Sequence, residues 1–552
     1  MNKNSVKRKG ILGFSERDKN DRIANWQNLR YGMFIHWGIY SKFGGVWKGN
    51  KIKKGYSEQI QMWAEMSEEE YLEGAKYFYA ENFNPKTICQ LAKDAGMQYI
   101  VFTVKHHDGF CMYNTKTTNY NVVEQTPFGK DVLYLLAEEC QKQGLKLGIY
   151  YSLVDWHQGH NFDLENNNKI TKTIEKLIKN QLKELLTNYG PITEMWFDMG
   201  APTAEQSKEI VEFVHSYQPE TMINGRIWNN SGDFRTLSDN EIPEFRIKNA
   251  WQTPASINQN TWGFRSWQEY EEFDDELKKI LKELIKVCAN GGNYLLNIGP
   301  QGDGKLVDYE VDILHAIGGW LKRHPNLINN SLPNKLPTQS YGYSMYDNKN
   351  LYLYLTNENL EKSIIINGIE TTVNSITEDS TEEALEWEKI DEKLIIYLPE
   401  DFKENLIPVI RVSLSEKLRI IPKKYSSIRN GIGEVSSENF SYSYGFCDKG
   451  NYANTKLSIV ELTSYIEIKE EQNLFIKIEG LVNKNKEYLI KVGEQKQNII
   501  GKQLQSEMVG GFTGQPFTIV PLTISLANPI YPDEDIDVDL QKINVCTEQK
   551  IQ

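Results

Sequence analysis

The chain lacks the features that mark several classes of protein. Its 552 residues include six cysteines, widely spaced and without a CxxC pair, which predicts reduced thiols rather than a disulfide framework. No apolar run approaches the roughly 20 residues of a membrane-spanning helix. The basic start, MNKNSVKRKGILGF, has no apolar segment typical of a secretory signal. We therefore expect a cytoplasmic protein with no membrane partner.

Nucleotide, metal and nucleic-acid signatures are also missing. No G-x-G-x-x-G follows a predicted strand, which disfavours a doubly wound dinucleotide fold, the alternative α/β architecture. HExxH is absent, and no Cys/His cluster has zinc spacing. The net charge is −13 and no long basic stripe occurs, so nucleic acid is not an expected partner. We expect neither a metal nor an organic cofactor.

What is present is an alternation of strand and helix patterns over the first 330 or so residues. In one clear unit, Asn84 and Pro85 begin a helix, Gly96 ends it, and the strand YIVFTV follows. LKLGIYYS, ITEMWFDMG, TMING and YLLNIGP are further strand candidates. The pattern predicts an α/β fold, an imperfect (β/α)8 TIM-like barrel, with the long irregular stretch Gly225–Tyr270 as its imperfect part.

The pattern changes after Ser331–Gln339. Short alternating runs such as LYLYLTN and VIRVSL predict a C-terminal β-sandwich, and YIEI, LFIKIEG and YLIKVG predict further strands. We therefore expect a barrel over residues 1–334, a β-sandwich over 335–422 and a second small β-rich domain over 423–552.

Polar and aromatic residues collect where the predicted barrel strands end, which is where such barrels place functional groups. Asp198 closes the apolar run MWF, although an Asp there could equally cap the next helix or pair with a cation. His36 could be a hydrogen-bonded core histidine. His106 and His107 are neighbours and would point to opposite faces of a strand, so hydroxyl recognition suits them better than a shared metal.

Several segments, in order, resemble the family 29 α-L-fucosidases of the glycoside hydrolases. They are RYGMFIHWGIYS, AKYF with FNPK, YIVFTVKHHDGFCMYNTKTTNYNV, GIYYSLVDW, EMWFDMG, WQTPASINQNTWGF and GGNYLLNIGPQGDG. The likeness runs from about residue 26 to 330. It implies an imperfect (β/α)8 barrel followed by a β-sandwich, and a retaining, exo-acting enzyme that hydrolyses terminal α-L-fucose through two carboxyl groups.

The resemblance also implies roles for individual residues. Asp198 matches the family's nucleophile. The fucose-binding positions match residues at the strand ends and in the second segment, namely His36, Glu58, His106, His107, Tyr150, Trp196 and Arg226. The sequence departs from the family after Glu58, where many members have Trp and this chain has Gln59. One apolar contact to the sugar is therefore missing or supplied elsewhere.

The acid/base is the second departure. Many relatives take it from a WE dipeptide, which here reads Trp251–Gln252, and a neutral amide cannot transfer the proton. The WQTPASI and SDN variants resemble a bacterial branch acting on α1,6-linked fucose, in which a Glu after the WGY-SW segment serves. That points to Glu271, with Asp239 as runner-up. Other candidates are nearby carboxylates, namely Glu241, Glu244, Glu269 and Glu272.

Two other functions fit the same residues. The missing WE glutamate is compatible with a non-catalytic fucose-binding or carbohydrate-binding protein on the same scaffold, and a related glycosidase for another sugar is the third interpretation. The expected partner is a fucosylated glycan or a small fucoside. The sequence is also compatible with a homo-oligomer.

Overall fold

A parallel β-barrel forms the centre of the protein. The computed structural model describes residues 9–12, 21–161, 168–336, 340–400, 402, 406–448 and 455–547, so the predicted boundary segment Ser331–Gln339 lies partly outside the described residues. The eight barrel strands, in chain order, are β1 Tyr31–Ile35, β2 Tyr99–Lys105, β3 Lys146–Ser152, β4 Ile192–Asp198, β5 Met222–Ile223, β6 Arg235–Thr236, β7 Trp251–Ser256 and β8 Asn293–Ile298.

Every neighbouring pair in this sheet is parallel, and β1 lies between β2 and β8. The two end strands, β5 and β6, meet at a parallel bridge between Asn224 and Phe234, which brings the sheet around on itself. The strands read as apolar runs because both faces are covered; β2, for example, is buried along its whole length. This is the TIM-like barrel that the sequence predicted.

Helices surround most of the barrel. The α-helices are α1 Asp21–Gln27, α2 Ile60–Trp63, α3 Glu68–Lys76, α4 Pro85–Asp94, α5 Val122–Gln125, α6 Val132–Gln143, α7 Lys172–Asn188, α8 Ala204–Tyr217, α9 Phe273–Ala289, α10 Asp308–Arg323 and α11 Gly501–Ser506. Local signals set several boundaries: Asn84 caps α4 ahead of Pro85, and Ser67 with Glu70 forms a capping box on α3.

One side of the barrel has no such cover. Between β5 and β7 the described chain contains no α-helix, only the 3-10 turn Gly225–Ile227, the short strand β6 and loops. We call residues 222–256 the helix-less wall. From Gly225 onward it coincides with the stretch predicted to be irregular. The strands β1 to β4 and β8, each preceded or followed by a helix packed on the sheet, form the helix-backed side.

Antiparallel sheets make up the rest of the chain. The first two share an apolar core that includes Leu353, Ile366, Ile396 and Ile410. Their strands are Leu332–Pro333, Gly342–Asp347, Asn350–Leu355, Val409–Leu414 and Val373–Glu378 in one sheet, and Ser363–Asn367, Lys393–Tyr397 and Trp387–Ile390 in the other. They form the β-sandwich that the sequence predicted. An N-terminal strand, Ile11–Leu12, pairs with Arg419–Ile420 beside it.

Two further sheets share a separate core that includes Leu462, Ile476, Leu522 and Ile543. Their strands are Ser426–Ser427, Ser441–Cys447, Lys456–Ile468, Thr518–Leu526, Glu487–Val492 and Gln495–Ile500 in one sheet, and Ile432–Ser436, Val538–Thr547, Gln472–Val482 and Val509–Gly514 in the other. We call residues 426–547 the distal β-region. The exact domain limits at 334 and 422 stay a prediction. Among the described helices, none is long and apolar enough to cross a bilayer.

Candidate active site

Asp198 is the last residue of β4, at the carboxyl end of the barrel. Its side chain is almost buried, with the residue 8% exposed. The chain turns sharply after it, because Met199 has a φ of +55° and Gly200 a φ of +75°. A positive φ in a residue such as Met is costly and is found where surrounding structure enforces it. The turn leaves the Asp198 carboxylate at the end of the strand rather than inside a following helix.

Three side chains surround this carboxylate. Oδ2 accepts a hydrogen bond of 2.8 Å from the Tyr150 hydroxyl, and Oδ1 accepts one of 2.9 Å from Arg226 Nη1. His107 Nε2 lies 3.8 Å from Oδ2. Burial alone raises the pKa of the carboxyl, but the charge of Arg226 and the hydrogen bonds from Tyr150 and Arg226 outweigh it and hold the pKa below its ordinary value. Asp198 is therefore ionised at neutral pH.

Arg226 connects Asp198 to a second carboxylate. It lies in the 3-10 turn after β5, and its Nη2 donates to Asp239 Oδ1 at 2.8 Å and to the Leu237 carbonyl at 3.2 Å. Its guanidinium carbon lies 4.7 Å from the centre of the Trp196 ring, a cation–π arrangement. The structure thus brings Asp198 and Asp239 to the two terminal nitrogens of one guanidinium.

The paired histidines lie just beyond a strand rather than on it. Strand β2 ends at Lys105, so His106 and His107 need not alternate, and their ring centres are 4.0 Å apart. His106 also stacks on Tyr150, at 5.4 Å between ring centres. Burial lowers the pKa of His106 well below its usual value and that of His107 to about 4. Both imidazoles are therefore neutral at physiological pH.

Hydrogen bonds fix which ring nitrogen carries the proton in two of the histidines. The Asn297 amide nitrogen donates to the Trp262 carbonyl at 2.7 Å, so its oxygen must accept the 2.7 Å bond from His36 Nδ1. Ser152 donates to the Val154 carbonyl at 2.8 Å and therefore accepts from His107 Nδ1 at 2.7 Å. Burial lowers the pKa of His36 to about 3. In both rings Nε2 is the unprotonated acceptor, ready for a hydroxyl proton.

Glu58 lies in the 3-10 turn Ser57–Gln59 and is buried. Its Oε2 accepts backbone hydrogen bonds from Gly263 at 2.8 Å and Trp262 at 3.2 Å, and burial raises its pKa to about 7. Gly299 permits this packing: a Cβ there would come within 2.9 Å of the Phe264 nitrogen and the Trp262 carbonyl oxygen. The backbone that holds Glu58 can therefore rest against the end of β8.

A hydrogen-bonded floor lies inside the barrel below Trp196. The Trp196 indole donates to Gln252 Oε1 at 2.8 Å. Gln252 Nε2 donates to the Tyr99 hydroxyl at 3.0 Å and to Glu194, and Glu194 also accepts from Trp26 at 2.6 Å. Gln252 is fully buried, so this position supports the Trp196 ring from inside the barrel. Every polar atom of its amide has a partner.

The two acid/base candidates are placed differently. Asp239 belongs to the Asp198 cluster through Arg226, and its side chain is 30% exposed. Glu271 is exposed and lies just before α9, where its backbone carbonyl accepts a hydrogen bond from Tyr309 at 2.9 Å. No hydrogen bond or ion pair among the described residues joins Glu271 to the cluster. The remaining candidates Glu241, Glu244, Glu269 and Glu272 likewise make no such contact within that part of the chain.

Sequence reasoning missed the supporting residues. Asn297 orients His36, Ser152 orients His107, and Glu194 holds Gln252. Each is a polar residue inside an otherwise apolar barrel strand, which was the available signal, because a buried polar side chain needs a partner. Among the residues that the structure describes, no group of three or more His, Cys, Asp or Glu side chains is arranged to hold a metal ion.

Comparison with known sequences agrees with this geometry. The profile of the family described as alpha-L-fucosidase matches residues 8–326. The tissue alpha-L-fucosidase of Bos taurus is 27% identical over 401 residues, covering 68% of this chain and 84% of the bovine protein. The plasma alpha-L-fucosidase of Homo sapiens is 28% identical over 326 residues, covering 54% of this chain and 67% of the human protein.

Solved structures extend the comparison. An alpha-L-fucosidase from Lactobacillus casei, in complex with its alpha-L-fucose product, is 34% identical with a TM-score of 0.50, covering 55% of this chain and 99% of that one. An alpha-L-fucosidase from Vibrio sp. strain EJY3 is 21% identical with a TM-score of 0.66 and covers 98% of this chain and 99% of its own, so the fold is shared beyond the barrel. The chain therefore belongs to the α-L-fucosidase family, and it is a glycoside hydrolase.

Proposed function

We propose that the protein is a retaining, exo-acting α-L-fucosidase that forms a covalent fucosyl-enzyme on Asp198. The observation that carries the proposal is the state of this carboxylate: it is nearly buried at the end of a barrel strand, yet Arg226 and Tyr150 keep it ionised. An anionic oxygen with little surrounding water is suited to attack the anomeric carbon of a sugar.

The reaction then takes two steps. Asp198 Oδ attacks C1 of the fucosyl unit while an acid protonates the departing glycosidic oxygen, so the C–O bond to the aglycone breaks as the ester forms. The same acid, now a base, removes a proton from water, which attacks C1 and releases fucose with its original anomeric configuration. Retaining enzymes place their two carboxyl groups about 5–5.5 Å apart.

We assign the acid/base to Asp239 in preference to Glu271. Asp239 and Asp198 accept hydrogen bonds from the two terminal nitrogens of Arg226, so both carboxyl groups lie beside one guanidinium. Asp239 is also more exposed than Asp198, as a group that exchanges protons with an incoming water needs to be. Glu271, which the sequence favoured, has its described contact with Tyr309 instead.

The surrounding residues suit the hydroxyls of a deoxyhexose. His36 and His107 each offer an unprotonated Nε2 as acceptor, and Arg226 offers donors. A site of this kind rejects sugars that lack the matching hydroxyl, because its own buried polar groups would be left unpaired. The Trp196 ring supplies an apolar face beside them. The L. casei relative was solved with α-L-fucose, which supports the same sugar here.

Two finer statements belong to the proposal. The WQTPASI and SDN segments resemble the branch that acts on α1,6-linked fucose, so we propose that linkage for the natural fucoside. We also propose a cytoplasmic location, in keeping with six cysteines that are all free, four of them buried. The natural substrates would then be small fucosylated fragments rather than intact surface glycans.

An aryl α-L-fucoside tests the proposal directly. The wild type should release the aryl group and fucose, and NMR of the first-formed sugar should show the α anomer. Asp198→Ala should lower kcat/KM by at least about 10³-fold, because the nucleophile is lost. First release of the β anomer, or full activity in Asp198→Ala, would refute the retaining mechanism through this residue.

A further inference from the structure

The helix-less wall is covered from outside by the distal β-region. Residues 246–248 run alongside the strand Ser441–Cys447: Lys248 donates its backbone N–H to the Tyr444 carbonyl at 3.1 Å, and Tyr444 donates to Arg246 at 3.0 Å. Phe245 packs edge-on against Tyr444, with 5.2 Å between ring centres. The distal β-region therefore occupies the place that helices take elsewhere around the barrel.

Two anchors tie the segment between Arg226 and Asp239 to this region. The first is reciprocal: Asn230 donates from its backbone to Asp448 Oδ1 at 3.1 Å and from its amide to the Asp448 carbonyl at 2.9 Å, and it accepts from the Asp448 N–H at 2.9 Å. Trp228, Asn229 and Asn230 all have positive φ, between +55° and +64°. Three consecutive residues in this conformation cost conformational free energy, so the hydrogen bonds between Asn230 and Asp448 are needed to stabilise the segment.

The second anchor is a buried ion pair between Arg235 Nε and Asp533, whose side chains are 5% and 0% exposed. Asn249 also donates to Asp533, and to the Pro532 carbonyl at 2.9 Å. Arg235 is the first residue of β6, only four positions before Asp239. Its backbone N–H donates to the Ala250 carbonyl, just before β7, at 2.8 Å, so the pair holds β6 beside the start of β7.

We propose that Asp533 is a positioning residue of the active site, acting through Arg235 on Arg226 and Asp239. The path is short. Arg235 begins the strand that leads to Leu237 and Asp239, and both of these accept hydrogen bonds from Arg226, which in turn binds Asp198. This inference rests on the proposed function, because it takes Asp198, Arg226 and Asp239 as the reacting and binding groups.

Other ion pairs of the distal β-region do not involve Arg226 and provide controls for a general loss of stability. Lys248 and Glu461 form another ion pair across the same interface, 2.5 Å between Nζ and Oε2, but it is more exposed and farther along the chain from Arg226. Within the distal β-region, Glu434 pairs with Lys542 at 2.9 Å on the sheet surface. Neutralising Glu434 removes a carboxylate from the same region without touching the barrel.

The test compares Asp533→Asn with Glu434→Gln in the full-length chain. Both are assayed at a temperature at which circular dichroism shows them fully folded. We expect Asp533→Asn to lower kcat/KM for an aryl α-L-fucoside at least about tenfold, because small displacements of positioning groups are costly. In a plot of kcat/KM against pH, the acid limb (the fall in activity at low pH) should move to higher pH, since a displaced Arg226 stabilises the Asp198 carboxylate less. Glu434→Gln should match the wild type in both respects.

Wild-type kcat/KM and an unmoved acid limb in folded Asp533→Asn would overturn the positioning role. Should Asp533→Asn fail to fold, Asn249→Ala removes one hydrogen bond to Asp533 and keeps the ion pair, and it should shift the limb in the same direction by less. Asp198→Ala is assayed alongside. Activity in Asp198→Ala would refute the proposed function, whereas unchanged behaviour in the Asp533 and Asn249 variants alone would refute only the inference.

Discussion

The helix-backed side and the helix-less wall of the barrel hold their functional residues by different means. Asp198 ends one strand of seven residues and His106 follows another, and the flanking helices are set by nearby caps and periodic apolar residues. Arg226 and Asp239 follow strands of two residues. The segment between them is held by Asp448 through Asn230 and by Asp533 through Arg235, and both of these aspartates lie more than 200 residues away along the chain. One half of the site is local in sequence, and the other half depends on distant contacts.

The largest expected effect is on activity and concerns Asp239, the carboxylate of the helix-less wall that binds Arg226. Asp239→Asn should lower kcat/KM by about 10²- to 10⁴-fold for a fucoside with a poor leaving group, and by much less for an activated aryl fucoside that needs no protonation. Steady-state kinetics with both substrates checks this. Glu271→Gln is the matched control and should stay near the wild type. The opposite pattern would assign the proton to Glu271, outside the Arg226 cluster.

A second variant tests whether the wall's interior supports the site. Gln252→Glu restores the WE dipeptide of many relatives, but here it would set a carboxylate about 3 Å from Glu194, where Gln252 Nε2 now lies 3.1 Å from Oε1. We expect a loss of about 3–5 kcal/mol in the free energy of unfolding and no gain in activity. Urea unfolding measures it. Gln541→Glu makes the same change at an exposed position and is the control; it should leave the free energy of unfolding close to that of the wild type. A Gln252→Glu variant that is as stable as the wild type and more active would contradict the account.

The most gradual effect is expected on the helix-backed side. Glu310 in α10 accepts from the Gly299 N–H at 3.1 Å, and burial raises its pKa to about 8. A carboxyl whose pKa is raised on folding contributes stability that is present at low pH and is lost as pH rises towards 8, by at most about 1.4 kcal/mol per pH unit. Between pH 5 and 8, the free energy of unfolding should therefore depend less on pH in Glu310→Gln than in the wild type. If the free energy of unfolding changes with pH equally in the variant and the wild type, then Glu310 does not retain a proton in the folded protein over this range, which would contradict the prediction.

The sequence predicted the helix-backed side well because its signals are local. Asn84–Pro85 marked the start of α4, and the apolar run before Asp198 marked β4. For the wall, the sequence predicted irregular structure but not the contacts that hold it, because nothing near Arg235 indicates a partner at Asp533. The resemblance named the residues around Asp198, and the structure brings His36, His106, His107, Tyr150 and Trp196 together with it. Which carboxyl accompanies Asp198 depends on loop geometry that spacing does not encode.

The covalent intermediate on Asp198 is the central claim, and trapping it is the most direct test. The wild type is incubated with 2-fluoro-fucosyl fluoride, digested, and analysed by tandem mass spectrometry. We predict one 2-fluoro-fucosyl group, bound as an ester to Asp198, in enzyme that has lost activity in proportion to labelling. A label on a different residue, or inactivation with no covalent label, would contradict the account.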